Sequence, residues 1–399
     1  MRIVDLHTFR ADGGWRPFSF LEILTDEGLS GWAEFAEGAW SPALPEAILA
    51  LGRTVIGEDP RRYALIAARL HATTLFASAG LNHQAVAAIE NACIDIAAKA
   101  AGVPVHALFG GPVRDAVDLY WSHCGSFRVR HAELFEKLLE RARVESLDDV
   151  RRLGVEAVRR GFRAVKTNPI VFGSSGPRLL NPGFLAQQLE LERSVDEPLL
   201  RAMAEQAAAL REGLGPDAGL MLDVNFAFRP AALRRIVRAL EPSRLAWLEA
   251  DLHDPEGLAS VRAAAAMPIA SLETLYGRRS YRPYLQAQAV DVAVVDVPWN
   301  GFAEAVRIAS LAEAFEVNVA PHNFYGPLAD LMSAHFCAVA GNVEIMEIEA
   351  DDVPWKAALL TRAPRVLEGR FVVPTSPGWG ADPDVRALAE HPWPRGSTS

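Results

Sequence analysis

The chain has 399 residues, half of them apolar, with a formal net charge of −10 and a pI near 5.6. That acidity, with no basic run, tells against a nucleic-acid partner, which needs clustered Lys and Arg. No uncharged apolar stretch of about 18 residues is present, so the sequence holds no membrane-spanning helix.

Residues 1 to about 40 read as antiparallel strands, with 18–25 and 29–34 flanking the turn Thr25-Asp26-Glu27-Gly28. Met1 to Asp5 lead into this region without an apolar signal core, so a cytoplasmic protein is expected. Helical patterns follow at 43–55, 59–75 and 81–101, the last keeping Ala85, Ile89, Ala92, Ile96 and Ala100 on one face before Gly102 and Pro104 stop it. A hairpin sheet followed by three helices is an α+β unit, taken as residues 1–115.

From about residue 116 strand and helix alternate, the mark of a parallel sheet with crossover helices. The spacing predicts strands at 117–122, 164–168, 219–225, 245–251, 268–274, 290–297, 317–323 and 343–349, the eight of a TIM-type barrel over 116–350. The Gly-, Pro- and Ser-bearing segment 172–197 interrupts the rhythm and is expected to be a lid or an oligomer contact. Residues 351–399 lose periodicity; they are expected to close back over the first unit, with 395–399 disordered. Cys93, Cys124 and Cys337 are scattered outside any CxxC spacing and read as buried thiols in a reducing compartment.

Six of these strands end on Asp223, Glu249, Glu273, Asp296, His322 and Glu347, with successive gaps of 26, 24, 23, 26 and 25 residues. A barrel gathers the carboxyl ends of its strands around one pocket, so the ladder delivers every rung to one site. A single acid at a strand end is most often a cap or a solvated rim group, but three on consecutive strands repel one another unless a cation neutralises them. Oxygen-only ligands favour Mg²⁺, Mn²⁺ or Ca²⁺ over zinc, making Asp223, Glu249 and Glu273 the candidate ligands. On neighbouring strands Asp296 can orient His322 as a general base, against the blander reading of a structural hydrogen bond at the rim. Side chains two apart share a strand face, so Lys166 goes with Asn168, Asp223 with Asn225, Glu249 with Asp251 and Glu347 with Glu349. An isolated strand-end lysine is usually a surface group, yet in an anionic ring a positive partner is useful. Together these parts point to abstraction of a proton α to a carboxylate, with charge stabilised by a metal.

At this point the chain resembles the mandelate racemase subgroup of the enolase superfamily over nearly its whole length. The likeness rests on Gly31-Trp32-Ala33-Glu34, on Ala88 to Ala97 running into Lys99-Ala100-Ala101-Gly102-Val103-Pro104, on the barrel motifs and on Pro377-Gly378-Trp379-Gly380. It implies an α/β fold, a modified (β/α)₇β barrel with an amino-terminal α+β capping domain whose loop near Trp15 to Phe20 covers a small carboxylate substrate. It also implies Mg²⁺ on Asp223, Glu249 and Glu273, a His322–Asp296 dyad, and Glu347 hydrogen-bonding the substrate carboxylate in protonated form. Asn225 matches a polar position beside the metal, and a homo-oligomer, dimer to octamer, is expected.

Two departures shape the functional expectation. Members with two opposed bases carry Lys-x-Lys, whereas this chain has Lys166-Thr167-Asn168; and Glu-Glu-Pro is replaced by Glu249-Ala250-Asp251, so Asp251 competes as a ligand. One equipped face favours β-elimination, as in acid-sugar dehydratases, with His322, Lys166 and Tyr325 the candidates for the acid. The alternatives are a racemase, epimerase or cycloisomerase on a related carboxylate, and a non-catalytic barrel paralogue.

Overall fold

The computed structural model describes residues 1–38, 40–180 and 194–394. Part of the expected lid segment 172–197 and the expected disordered end 395–399 lie outside the described residues.

Strands β1 (Ile3–Asp12), β2 (Pro17–Thr25) and β3 (Ser30–Phe35) form an antiparallel meander. Helices α1 (Leu44–Gly52), α2 (Tyr63–Thr73) and α3 (Leu81–Ala101) cover it. β3 lies so close to α3 that a Cβ on Gly31 would stand 2.2 Å from the Ala92 carbonyl oxygen, which is why glycine opens that motif. Asp95 on α3 accepts the Trp32 and Trp379 backbone N–H groups, both at 2.9 Å, and Trp379 Nε1 donates to the Trp32 carbonyl at 2.8 Å. The chain end is thereby stitched to the first unit.

The second layer is parallel. Strands β4 (Ala116–Ser122), β5 (Ala164–Thr167), β8 (Gly219–Asp223), β9 (Trp247–Glu249), β10 (Ile269–Ser271), β11 (Val292–Asp296) and β12 (Asn318–His322) pair in that order. β13 (Met346–Glu349) pairs with β4, and the run entering it meets β12 at the parallel bridge Val319–Val343, giving a barrel-like arrangement. Among the described residues each of the seven strand-to-strand connections carries one long helix: Leu147–Arg159, Glu197–Leu214, Pro230–Leu240, Pro255–Arg262, Gly277–Gln286, Phe302–Glu313 and Pro327–Val339. Several start on a side-chain cap, such as Ser146, Asp196 and Asp254, which satisfies backbone N–H groups otherwise left without partners.

Three features escaped the sequence pattern. Within the interrupted segment, β6 (Ile170–Gly173) and β7 (Gly176–Leu179) form a hairpin. Two short helices, Ser126–Arg130 and Ala132–Leu139, follow β4. In the tail, β14 (Val366–Leu367) and β15 (Arg370–Val372) turn through Glu368 and Gly369, both at positive φ, and β15 pairs antiparallel with β4. Cys93, Cys124 and Cys337 are free and buried. Among the described residues no helix is long and apolar enough to cross a membrane.

Candidate active site

Strand alternation builds the site. Tyr120, Ala164, Met221, Trp247, Ala270, Val294, Ala320 and Ile345 form an apolar cluster inside the sheet. Two residues further along their strands stand Ser122, Lys166, Asp223, Glu249, Asp296, His322 and Glu347, all buried polar groups at the carboxyl ends. Register sets neighbours side by side: Asp223 pairs with Glu249, and Asp296 with His322. Glu273, three residues beyond Ala270, breaks the parity because Leu272 takes a φ of 91°.

One side of the ring centres on Lys166, which is 2% exposed. Its Nζ lies 3.1 Å from Glu249 Oε2, 3.0 Å from Glu347 Oε1 and 4.0 Å from Asp223 Oδ2. Burial opposes the ammonium, but Glu249 and Glu347 outweigh it and hold Lys166 well above the ordinary lysine range. Glu347 Oε1 also accepts from Ser122 Oγ at 2.6 Å and Oε2 from the Asn323 backbone at 2.7 Å. Against burial, Lys166 and His322 push the Glu347 carboxyl below its usual range. The protonated form implied by the resemblance is therefore not the one this surrounding favours, because cations and donors face both oxygens. Asn225 bonds Asp223 through its backbone at 2.8 Å and its Nδ2 at 3.1 Å, and Asn168 Nδ2 reaches the Asp223 carbonyl at 3.2 Å. The Asn168 amide oxygen is buried with no hydrogen-bond partner.

The other side is the dyad. His322 Nδ1 lies 2.6 Å from Asp296 Oδ2, and Nε2 lies 3.5 Å from Glu273 Oε2. Asp296 is itself fixed, accepting the Trp299 backbone N–H at 2.6 Å on its other oxygen. Burial disfavours the imidazolium, yet Glu273 and Asp296 prevail and push His322 up to about 10. Tyr325 donates to Asp296 Oδ2 at 2.5 Å and stands 3.2 Å from His322 Nδ1, behind the ring.

The capping domain reaches this side. Glu34 accepts the backbone N–H groups of Gly326 at 2.5 Å, Leu328 at 3.0 Å and Ala329 at 2.9 Å, capping the helix that follows Tyr325. Gly326 permits that approach, since a Cβ there would lie 2.5 Å from Glu34 Oε1. Asn91 on α3 accepts the Phe302 N–H at 2.7 Å, beyond the turn after Asp296. Trp15 is placed against Phe127, Phe135 and His131 rather than among the polar ring. Its neighbour Arg16 pairs with Asp352 at 3.0 Å and stacks on Trp15, Phe18 and Phe324, and Phe324 in turn meets the His322 ring. Arg16, Glu34, Ser122 and Asn323 carry no site role in the sequence pattern, although Glu34 closes one of the motifs, because their contacts are with distant partners that local periodicity does not show.

Among the described residues, no three carboxylate, imidazole or thiol groups converge closely enough to enclose an ion. The chemistry of Asp223, Glu249 and Glu273 nonetheless fits a hard divalent cation. Burial, then the Glu249 charge, pushes Asp223 up to about 8; burial raises Glu249, and burial with its acidic neighbours takes Glu273 well above its ordinary value. Oxygen donors that raise one another in this way are relieved by a cation, and the Lys166 ammonium already stands between two of them.

Comparison with known proteins settles the family. Residues 149–387 match the Enolase C-terminal domain-like family, and residues 7–110 match the mandelate racemase / muconate lactonizing enzyme amino-terminal domain. The chain belongs to the enolase superfamily. A solved structure from Burkholderia xenovorans strain LB400, provisionally assigned as an L-alanine-DL-glutamate epimerase, is 39% identical, with a TM-score of 0.95 and full coverage of both chains. A second structure under the same assignment from that strain is bound to magnesium and fumarate; it is 40% identical, with a TM-score of 0.94, over 98% of this chain and 96% of that one. D-galactonate dehydratase from Variovorax paradoxus (strain S110) is 29% identical over 350 residues, 87% of this chain and 81% of that protein. These relatives support an enzyme within the superfamily, and Mg²⁺ is the metal its members bind.

Proposed function

We propose that this chain removes the proton α to the carboxylate of an acid sugar and expels the β-hydroxyl as water, giving a 2-keto-3-deoxy acid. The observation that carries the reading is the asymmetry of the pocket. On one side His322 is backed by Asp296 at 2.6 Å; on the other, Lys166 is locked to Glu249 and Glu347, and Asn168 stands where a second lysine would supply an opposing base. A proton taken and returned from one side suits elimination better than inversion at the α-carbon. The D-galactonate dehydratase likeness supports that class.

Asp223, Glu249 and Glu273 would hold Mg²⁺, which when bound neutralises charge building on the substrate carboxylate. Lys166 would add a fixed positive charge at the same carboxylate. His322 Nδ1–H donates to Asp296; a cation on Glu273 would neutralise the charge that most favours the imidazolium, and so leave Nε2 to accept the C2 proton. The electron pair left at C2 becomes the C2–C3 double bond as the C3–O bond breaks, and the imidazolium returns its proton to the leaving hydroxide. The resulting enol then tautomerises to the ketone. Tyr325 is the weaker candidate for the acid, because its hydroxyl is committed to Asp296 behind the imidazole.

The second reading, epimerisation, is favoured by the likeness to the Burkholderia structures and needs Lys166 to serve the opposite face. A screen of acid sugars with Mg²⁺ in D₂O separates the two. Elimination yields keto acid, whereas epimerisation yields recovered material deuterated and inverted at C2, and that second outcome would overturn the proposal.

A further inference from the structure

We infer that Asp251 is a positioning residue, one that holds the turn by which Glu273 enters the carboxylate ring; the inference rests on the cation-site reading above. Ala270 points into the inner apolar cluster, so unbroken alternation along β10 would send Leu272 inward and Glu273 away from the pocket. The chain does the reverse. Leu272 takes a φ of 91°, a backbone conformation that non-glycine residues seldom adopt, and its side chain joins the outer core instead. Glu273 is thereby turned to face His322 Nε2 at 3.5 Å.

The fixed point for this turn is Asp251. Its Oδ1 accepts the Leu272 backbone N–H at 3.0 Å and the Ser271 hydroxyl at 2.7 Å. Asp251 is 4% exposed, Ser271 1% and Leu272 2%, so water has little access with which to replace those bonds. Asp251 is fixed in turn by its backbone N–H, which donates at 3.0 Å to the carbonyl of Asn225, the same residue that bonds Asp223. A single acid two residues after Glu249 thus ties the end of β9 to the end of β10, carrying one ligand candidate and orienting the next. Its Oδ2 is buried with no hydrogen-bond partner, which keeps direct ligation as the rival explanation that the test must exclude.

The test is Mn²⁺ titration of the full chain, read by electron paramagnetic resonance and by calorimetry without substrate, on Asp251→Ala, Asp251→Asn and Ser271→Ala. Asparagine keeps the Oδ1 acceptor and loses the charge; alanine loses both. Asp251→Ala is expected to weaken Mn²⁺ by about tenfold or more, the usual size of an orienting contact, with Asp251→Asn within about threefold of wild type and Ser271→Ala between them. Equal losses in the alanine and asparagine variants would overturn the inference in favour of ligation or charge, and so would an unchanged Asp251→Ala. If circular dichroism shows Asp251→Ala unfolded, the other two variants decide by the same thresholds. A folded wild type that binds no Mn²⁺ would instead sink the cation reading itself.

Discussion

Lys166 and His322 stand at the ends of β5 and β12 in one ring but are supported from different parts of the molecule. The Lys166 side is built within the barrel, from Glu249, Glu347, Ser122 and Asp223 on nearby strands. The His322 side leans on the capping domain: Glu34 caps the helix after Tyr325, and Asn91 bonds Phe302 past the turn that follows Asp296. A clamp made inside one sheet is set once the barrel forms, whereas the proton-transferring side is completed only when the cap is seated. Charge neutralisation and proton transfer should therefore respond separately to mutation.

The largest separation is expected from His322→Asn. Removing the base should lower turnover by about 10²- to 10⁴-fold while Mn²⁺ titration changes little, and loss of both together would break the distinction. Lys166→Met strikes the other side. It leaves Glu249 and Glu347 buried without their cation, at a cost of about 3–5 kcal/mol by urea unfolding. An unaltered unfolding midpoint would show that the clamp contributes no stability.

The cap supplies a pH test. Burial pushes Glu90 on α3 up to about 7, against an ordinary 4.5. The folded state then keeps a proton that the unfolded chain releases, so stability should fall as pH rises from about 4.5 through 7, by about 2–3 kcal/mol for this one group. Glu90→Gln should flatten that part of the profile in unfolding experiments between pH 5 and 8. An identical slope would place the burden elsewhere, Glu34 being next, since burial takes it to about 7 as well. The smallest effect is expected of Glu34→Ala, about 1 kcal/mol from the lost helix cap. If the cap braces the dyad side, this variant should slow α-proton exchange while leaving Mn²⁺ affinity alone; equal effects on both would dissolve the comparison.

Much of this was legible in the chain because it depends on period-two alternation. Apolar runs ending on Asp223, Glu249, Asp296, His322 and Glu347 place their last side chains on one face wherever the strand is regular, and the register did bring Asp296 against His322. Spacing alone puts Glu273 at the end of its strand, yet its route into the ring is hidden: nothing in Ser271-Leu272-Glu273 announces the positive φ at Leu272, whose N–H is held by Asp251, just past the end of β9. The contact of Glu34 with Leu328 spans 294 positions, beyond what a local window can register. Arg16 was overlooked beside Trp15 because a lone arginine in a loop reads as a solvated group until aromatic rings are seen closing over it. The Glu368-Gly369 turn was a local signal that sequence reading passed over.

The most direct trial of the central claim is proton NMR of the C2 position of a turned-over acid sugar in D₂O with Mg²⁺, comparing wild type with His322→Asn. Wild type should convert the sugar to a 2-keto-3-deoxy acid while the asparagine variant leaves the C2 proton in place. A variant that still exchanges this proton, or a wild type that retains full turnover after exhaustive chelation, would contradict the account.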